Sequence, residues 1–210
     1  MAILTGGILG NIRNKVGGVV GSQWKHRNTL RSYVIPGNPD TAAQQVQRNK
    51  FAAAVAFAKL ILGQVLNVYV DPFQKQMSGF NFFIKQNIAY FAAAIVWESV
   101  KVTFGKLYGP LNASFGTLIA EQSAITWDTD TGSNGAADDK VFAMFYNITR
   151  DLIYFAGAEV NRSAGTLTID IPGTLDGDDC YMACWASKYD ASGALVMVSD
   201  SVVDSGAIAD

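Results

Sequence analysis

From about residue 111 onward the chain alternates short apolar runs with turns rich in Gly, Asp and Asn. That rhythm constrains the fold more than any other feature. The runs fall at 124–127, 140–146, 152–155, 166–171, 180–188 and 195–203. Six or seven short strands, with a turn signal every ten or so residues, are the pattern of an antiparallel sandwich. Trp127 and Trp185 are its expected large core side chains. Cys180 and Cys184 stand four apart in one run, so a strand puts both on one face, roughly 13 Å apart at a rise of about 3.3 Å per residue. That is beyond disulfide reach, and both read as buried, reduced core residues.

The preceding sequence has another texture. Gly6, Gly7, Gly10, Gly17, Gly18 and Gly21 lace the start, with apolar and aromatic residues between and after them. Two strands are expected over 15–24 and 29–35, joined by a turn at 25–28. A lone ribbon is marginal in water, so this segment reads as an arm that needs something to pair with or lie on. Residues 36–40, with two prolines and a glycine, end it. Thr41 and Gln44 then fit a capping box, and Val46, Phe51, Val55, Ala58 and Leu62 recur at helical spacing, which predicts a helix over 41–66. Asp71-Pro72 resembles a second helix start, Gly79 an interruption, and 79–94 a further helix. Residues 98–107 are expected to form a strand leading out. The expected class is therefore α+β: a Gly-rich basic β-arm at 1–40, a helical region with an exit strand at 41–110, and an acidic sandwich at 111–210.

Charge follows the same division. The net charge is −2, yet residues 1–106 sum to +9 and residues 107–210 to −11. Opposite potentials on two halves steer head-to-tail docking, between copies or within one chain. The start of the chain does not have the order of a signal peptide, because its first positive charge follows the apolar stretch. The most apolar run, 51–62, is too short to span a bilayer and contains Lys59.

Several blocks of this sequence resemble an uncharacterised family found in Bacteroidota and phages. They are Lys15-Val-Gly-Gly-Val-Val-Gly-Ser-Gln-Trp-Lys25, Arg31, Asn38-Pro-Asp-Thr-Ala-Ala-Gln44 and Arg48-Asn-Lys-Phe51, with later matches at 81–87, 109–111 and 135–141. The sequence departs from the family pattern at Asn14, and at His26, where the family commonly has Gly. The stretch Arg31-Ser-Tyr-Val34 through Arg48 is also similar to the openings of small proteins encoded among phage virion genes. The resemblance implies a virion or virion-like structural role, assembly in a host cytoplasm, and a fibronectin- or immunoglobulin-like end domain.

Chemistry is sparse by comparison. The single histidine, His26, lies in a basic turn with no neighbouring acid to orient it, so a hydrolytic triad is not expected. One His and two Cys do not make a zinc set. Asp128, Asp130, Asp138 and Asp139 crowd one loop, and Asp176, Asp178 and Asp179 another, but the first lacks the Glu that closes a calcium loop, so solvated turns are expected. Gly17-Gly18-Val-Val-Gly21 has no Lys-Ser/Thr after it and is not a phosphate loop. The basic, aromatic arm has the composition of a nucleic-acid footprint, though the pI of about 5.3 and the lack of a recognised motif argue against it. Tyr154 and Tyr189 are the aromatics that a glycan-binding reading would use. The expected partner is another copy, or other virion proteins, with no enzyme activity, cofactor or metal. The expected interface residues are Lys15, Trp24, Arg27, Arg31, Tyr33, Arg48, Phe51, Asp138, Asp139 and Asp178; Arg27, Arg31 and Arg48 would pair with carboxylates such as Asp138, Asp139 and Asp178, with Trp24 the buried anchor.

Overall fold

The computed structural model describes residues 2–4, 13–35, 37–119 and 121–208. The chain divides into two compact units, Met1–Thr41 and Ala42–Asp210.

The first unit is a four-stranded antiparallel sheet rather than a two-stranded ribbon. Its strands are β1 (Ala2–Leu4), β2 (Asn14–Val16), β3 (Val19–Trp24) and β4 (Arg27–Ser32), in the order β1-β4-β3-β2. The expected first strand is two, because Gly17 takes φ +58° at the β2–β3 turn, a conformation open to glycine. The second turn is shorter than expected. Lys25 and His26 alone make it, both at positive φ (+44° and +63°), and Arg27 and Asn28 already belong to β4.

In the second unit, α1 (Ala42–Leu60) leads into a π-helical segment, Leu62–Val70. The expected single helix over 41–66 is thus broken near Ile61, where the axis turns by 88°. Among the described residues, no single helix is long and apolar enough to cross a membrane. Asp71-Pro72 does not start a long helix. It forms one 3-10 turn, Asp71–Phe73, and the Asp71 carboxylate accepts the Gly79 N–H at 2.6 Å. Gly79 opens α2 (Gly79–Asn87), where a Cβ would lie 2.8 Å from the Asp71 nitrogen; glycine permits this close crossing. The helix stops at Asn87, short of the expected 94. Its buried side chain donates to the Phe83 and Lys101 carbonyls and accepts from the Lys101 N–H.

The sandwich comprises β5 (Leu111–Ile119), β6 (Gln122–Asp128), β7 (Lys140–Asn147), β8 (Leu152–Phe155), β9 (Val160–Asn161), β10 (Thr166–Asp170), β11 (Asp179–Tyr189), β12 (Leu195–Val198) and β13 (Val202–Ala207). One sheet is β10-β6-β5. The other has β7 and β11 as inner columns, with β8 and β9 along the free side of β7 and β12 and β13 along that of β11. All pairings are antiparallel, and the whole is an immunoglobulin/fibronectin-like sandwich.

The helices cover the outer face of the larger sheet, so the second unit has three layers. Met144, Tyr146, Tyr181, Ala183 and Trp185 face Phe57, Leu66, Tyr69, Phe83 and Phe91. Their neighbours Val141, Ala143, Phe145, Cys180, Met182, Cys184 and Ala186 face Ile125, Trp127, Leu167 and Ile169 of the smaller sheet. Helical region and sandwich, separable along the sequence, share this core.

Residues 98–107 do not make the expected strand. A 3-10 turn at Trp97–Ser99 leads into them, and they then run beside Val198–Ser201 through backbone and side-chain bonds, the Ser201 N–H donating to the Thr103 carbonyl and the Leu107 N–H to the Val198 carbonyl. The Val102 N–H donates to Ser201 Oγ, and Thr103 Oγ1 donates to the Ser199 carbonyl. The same two serines divide the run 195–203 into β12 and β13. Gly105 sits where a Cβ would collide with the Val198 carbonyl, a backbone atom that cannot rotate away. Gly105→Ala is expected to lower stability by about 1–3 kcal/mol, measured as the shift of the urea unfolding transition.

Candidate functional site

The first sheet brings together Lys15, Trp24, Arg27, Arg31 and Tyr33, half of the expected interface residues. Lys15, Val20 and Arg31 lie in one cross-strand row, Ser22 and Thr29 in the next, and Trp24 opposite Arg27 in a third. Because strand side chains alternate, rows two residues apart share a face. Ser22 and Thr29 join hydroxyls at 2.9 Å in the middle. Tyr33 extends the row set, with its N–H donating to the Gly18 carbonyl and its ring 3.7 Å beneath the Lys15 ammonium. Lys15, Arg27, Arg31 and Tyr33 therefore form one exposed, basic, aromatic surface. The side chain of Trp24, the expected buried anchor, lies outside the described residues.

This sheet buries little. Among its described side chains only Thr29 is buried, together with the backbone position Gly21. Val16 and Val19, paired with each other on the opposite face, are exposed, and Val34 and Ile35 after β4 are 71% and 76% exposed. Both faces and the segment after β4 thus carry apolar groups in contact with solvent.

Arg48 and Phe51 belong to the second unit. With Gln44, Gln47 and Ile88 they line an open groove on α1, where Phe51 is 51% exposed. The first turns of α1 are exposed on every side.

The expected carboxylate partners separate into two kinds. Asp138 is exposed. Asp139 and Asp178 are not surface acids awaiting an arginine, because each is buried against an arginine of its own domain. Asp139 lies 3.5 Å from Arg162, which is fully buried. The Arg162 guanidinium also donates to the carbonyls of Gly109, Asp130 and Tyr108, while its own carbonyl accepts from Trp127 Nε1. Burial lowers the pKa of Arg162, and the nearby Asp139 opposes that shift. Asp178 Oδ2 accepts from the Leu175 N–H (2.9 Å), Asn147 Nδ2 (2.9 Å) and Arg150 Nε (2.6 Å). The Leu175 bond leads in holding this carboxyl below its ordinary value, with Asn147 and Arg150 adding to it and burial opposing. These clusters were missed in sequence; their signal is that two arginines stand among the four cations of a strongly acidic half.

Cys180 and Cys184 are free and buried, and burial pushes both thiols up to about 12, leaving them protonated. His26 sits in an exposed turn. Among the described residues no group of three His, Cys, Asp or Glu side chains is placed to hold a metal ion.

Two outcomes follow. A carboxylate with a lowered folded pKa stabilises the fold above its unfolded value of about 3.9, and that contribution is lost as pH falls through the folded value. Asp178→Asn is therefore expected to lower stability at neutral pH and to flatten its decline below about pH 4, read from urea midpoints across the acid range. At the β3–β4 turn, two adjacent residues with positive φ make the type I′ geometry that favours glycine at the second position. His26→Gly is expected to stabilise the hairpin by about 1 kcal/mol, seen as slower amide exchange in β3 and β4.

No curated protein matches the chain. Among solved structures, a redesigned β-sandwich protein is similar at 11% identity and a TM-score of 0.35, covering 50% of this chain and 93% of that one. The human collagen alpha-1(XX) fn3 domain is similar at 14% identity and 0.35, covering 49% and 86%. The human contactin 1 fn3 domain is similar at 9% identity and 0.33, covering 50% and 82%. The sandwich rests on the strand order above and not on these likenesses. The profile of a family of unknown function, DUF6266, matches residues 10–198, and the chain belongs to that family.

Proposed function

We propose that the protein is a non-enzymatic structural subunit that self-associates, in a virion or virion-like assembly of a phage or its Bacteroidota host. The observation that carries this reading is the first sheet. It is a folded, four-stranded unit whose described side chains leave a basic face, apolar groups on the other face and the segment 33–35 in solvent. A sheet of this size gains stability when a face is covered. Its charge has the sign opposite to that of the sandwich half, so a second copy's sandwich is the complementary cover. Exposed carboxylates such as Asp138 are the expected contacts for Arg27 and Arg31, since Asp139 and Asp178 are satisfied internally. The virion setting draws its support from the sequence resemblance at 15–51, and the reading without catalysis from the buried thiols and the isolated histidine.

Sedimentation velocity tests the reading. The full chain is expected to form oligomers that weaken between about 50 mM and 500 mM salt, as screening shortens the reach of charge. A chain starting at residue 36 is expected to sediment as a folded monomer. Truncated protein that assembles like the full chain would remove the sheet from the interface.

A further inference from the structure

The helices cover one outer face of the sandwich, and the other, the outside of the smaller sheet, is bare. Along β6 the buried positions alternate with the exposed Gln122, Thr126 and Asp128, and along β10 with the exposed Thr166, Thr168 and Asp170. Register sets these six on one face, with Thr126 beside Thr166 and Gln122 beside Asp170. Asp128 and Asp170 stand at its opposite ends, with hydroxyls between them. Each accepts from a neighbouring amide at 2.6 Å, Asp128 from Asn112 and Asp170 from Gln122, and a neutral amide leaves the carboxylate its charge. Strands β5, β6 and β10 contain no Lys or Arg. Elsewhere the second unit mixes signs: Lys140 and Lys188 lie on the larger sheet, and Lys101 pairs with Asp200.

The basic face of the first sheet has the inverse pattern. Residues 1–35 contain no Asp or Glu. Lys15 and Arg31 mark one end of that face and Arg27 the other, with the Ser22–Thr29 hydroxyl pair between. Arg27 and Arg31 are four positions apart on β4, roughly 13 Å at about 3.3 Å per residue. Asp128 is six positions from Gln122, the register partner of Asp170, or roughly 20 Å along the strand. Arginines are long enough to lean outward from the narrower row to the wider one. Cation, hydroxyl, cation on one surface thus matches anion, hydroxyl, anion on the other, and such matching sets both attraction and register.

We infer that the outer face of β5, β6 and β10 is the docking site for the basic face of a second copy's first sheet. The inference rests on the assembly reading and names the surface that receives the sheet. Charge reversals in the full chain test it by sedimentation velocity. Asp128→Lys with Asp170→Lys reverses the receiving face, and Arg27→Glu with Arg31→Glu reverses the sheet. Either pair alone is expected to weaken association about a hundredfold, because like charges then meet. All four reversals in one chain restore the net charge and the complementarity, and association is expected to return to within about tenfold of the unmodified chain. Misfolding of a variant does not mimic that recovery. No recovery in the four-reversal chain would overturn the inference. So would an Asp128→Lys, Asp170→Lys chain that assembles normally while Asp138→Lys abolishes assembly, an outcome that moves the receiving patch and leaves the assembly reading standing. An unmodified chain that stays monomeric at every concentration would remove both.

Discussion

Strands β7 and β11 are covered on both faces, and most of the structure follows from that burial. A strand exposed on one side alternates apolar and polar residues, whereas one enclosed between two layers has no wet side. From Cys180 to Ala186 every residue of β11 is buried. Odd positions, with Tyr181 and Trp185 the largest, meet the helices, and even positions meet the smaller sheet. The helical layer is thus the lid of the larger sheet and not a neighbouring domain. Aromatic contacts fasten the two, with Tyr69 against Trp185 at 5.2 Å and Phe57 against Tyr181 at 5.9 Å.

Enclosure of this kind makes every buried polar group depend on local partners. The structure meets that demand in three places. Arg162 and Asp139 neutralise each other while the guanidinium gathers carbonyls from otherwise separate loops. Asp178 ties the β7–β8 turn to the loop before β11 through Asn147 and Arg150. On the helical side, Glu159 accepts from Tyr69 at 2.7 Å and Tyr189 at 2.6 Å, bonding the π-helical segment to the sheet beneath it. Breaking a buried ion pair from one side leaves an uncompensated charge, which is why such pairs are fixed fixtures of a fold and poor candidates for docking.

The same burial explains which parts of the fold were legible. The continuous apolar run at 180–188 and the alternation at 166–171 announced strands directly, and their bounds agree closely with β11 and β10. Strand β5 was not read, since Leu111–Ile119 intersperses Asn, Ser and Gly with its apolar residues. The serines at 199 and 201 look innocuous in a strand, yet their hydroxyls take over bonds that a ladder would make and divide it. Gly79 read as an interruption because a close backbone crossing leaves no trace in periodicity. Of the proposed interface residues, Lys15, Arg27, Arg31 and Tyr33 share a face that only the pairing register reveals. The commitments of Asp139 and Asp178 needed the third dimension, because their arginines lie 23 and 28 positions away in sequence.

The two units stand in physical contrast. The second hides its apolar groups between three layers and uses most of its buried charge internally. The first buries only Thr29 among its described side chains, and its described strands are joined by a backbone ladder and short turns. Such a sheet retains side-chain surface on both faces, and here one face is basic while the other carries Val16 and Val19. Backbone bonds add little net stability in water, because the unfolded chain makes equivalent bonds to solvent. Apolar burial supplies what they do not, and on the assembly proposed above it would come from a covering surface. In that assembly the acidic sandwich of a second copy would meet both requirements at once, attracting the basic face from a distance and offering a folded wall against which the sheet could exclude water.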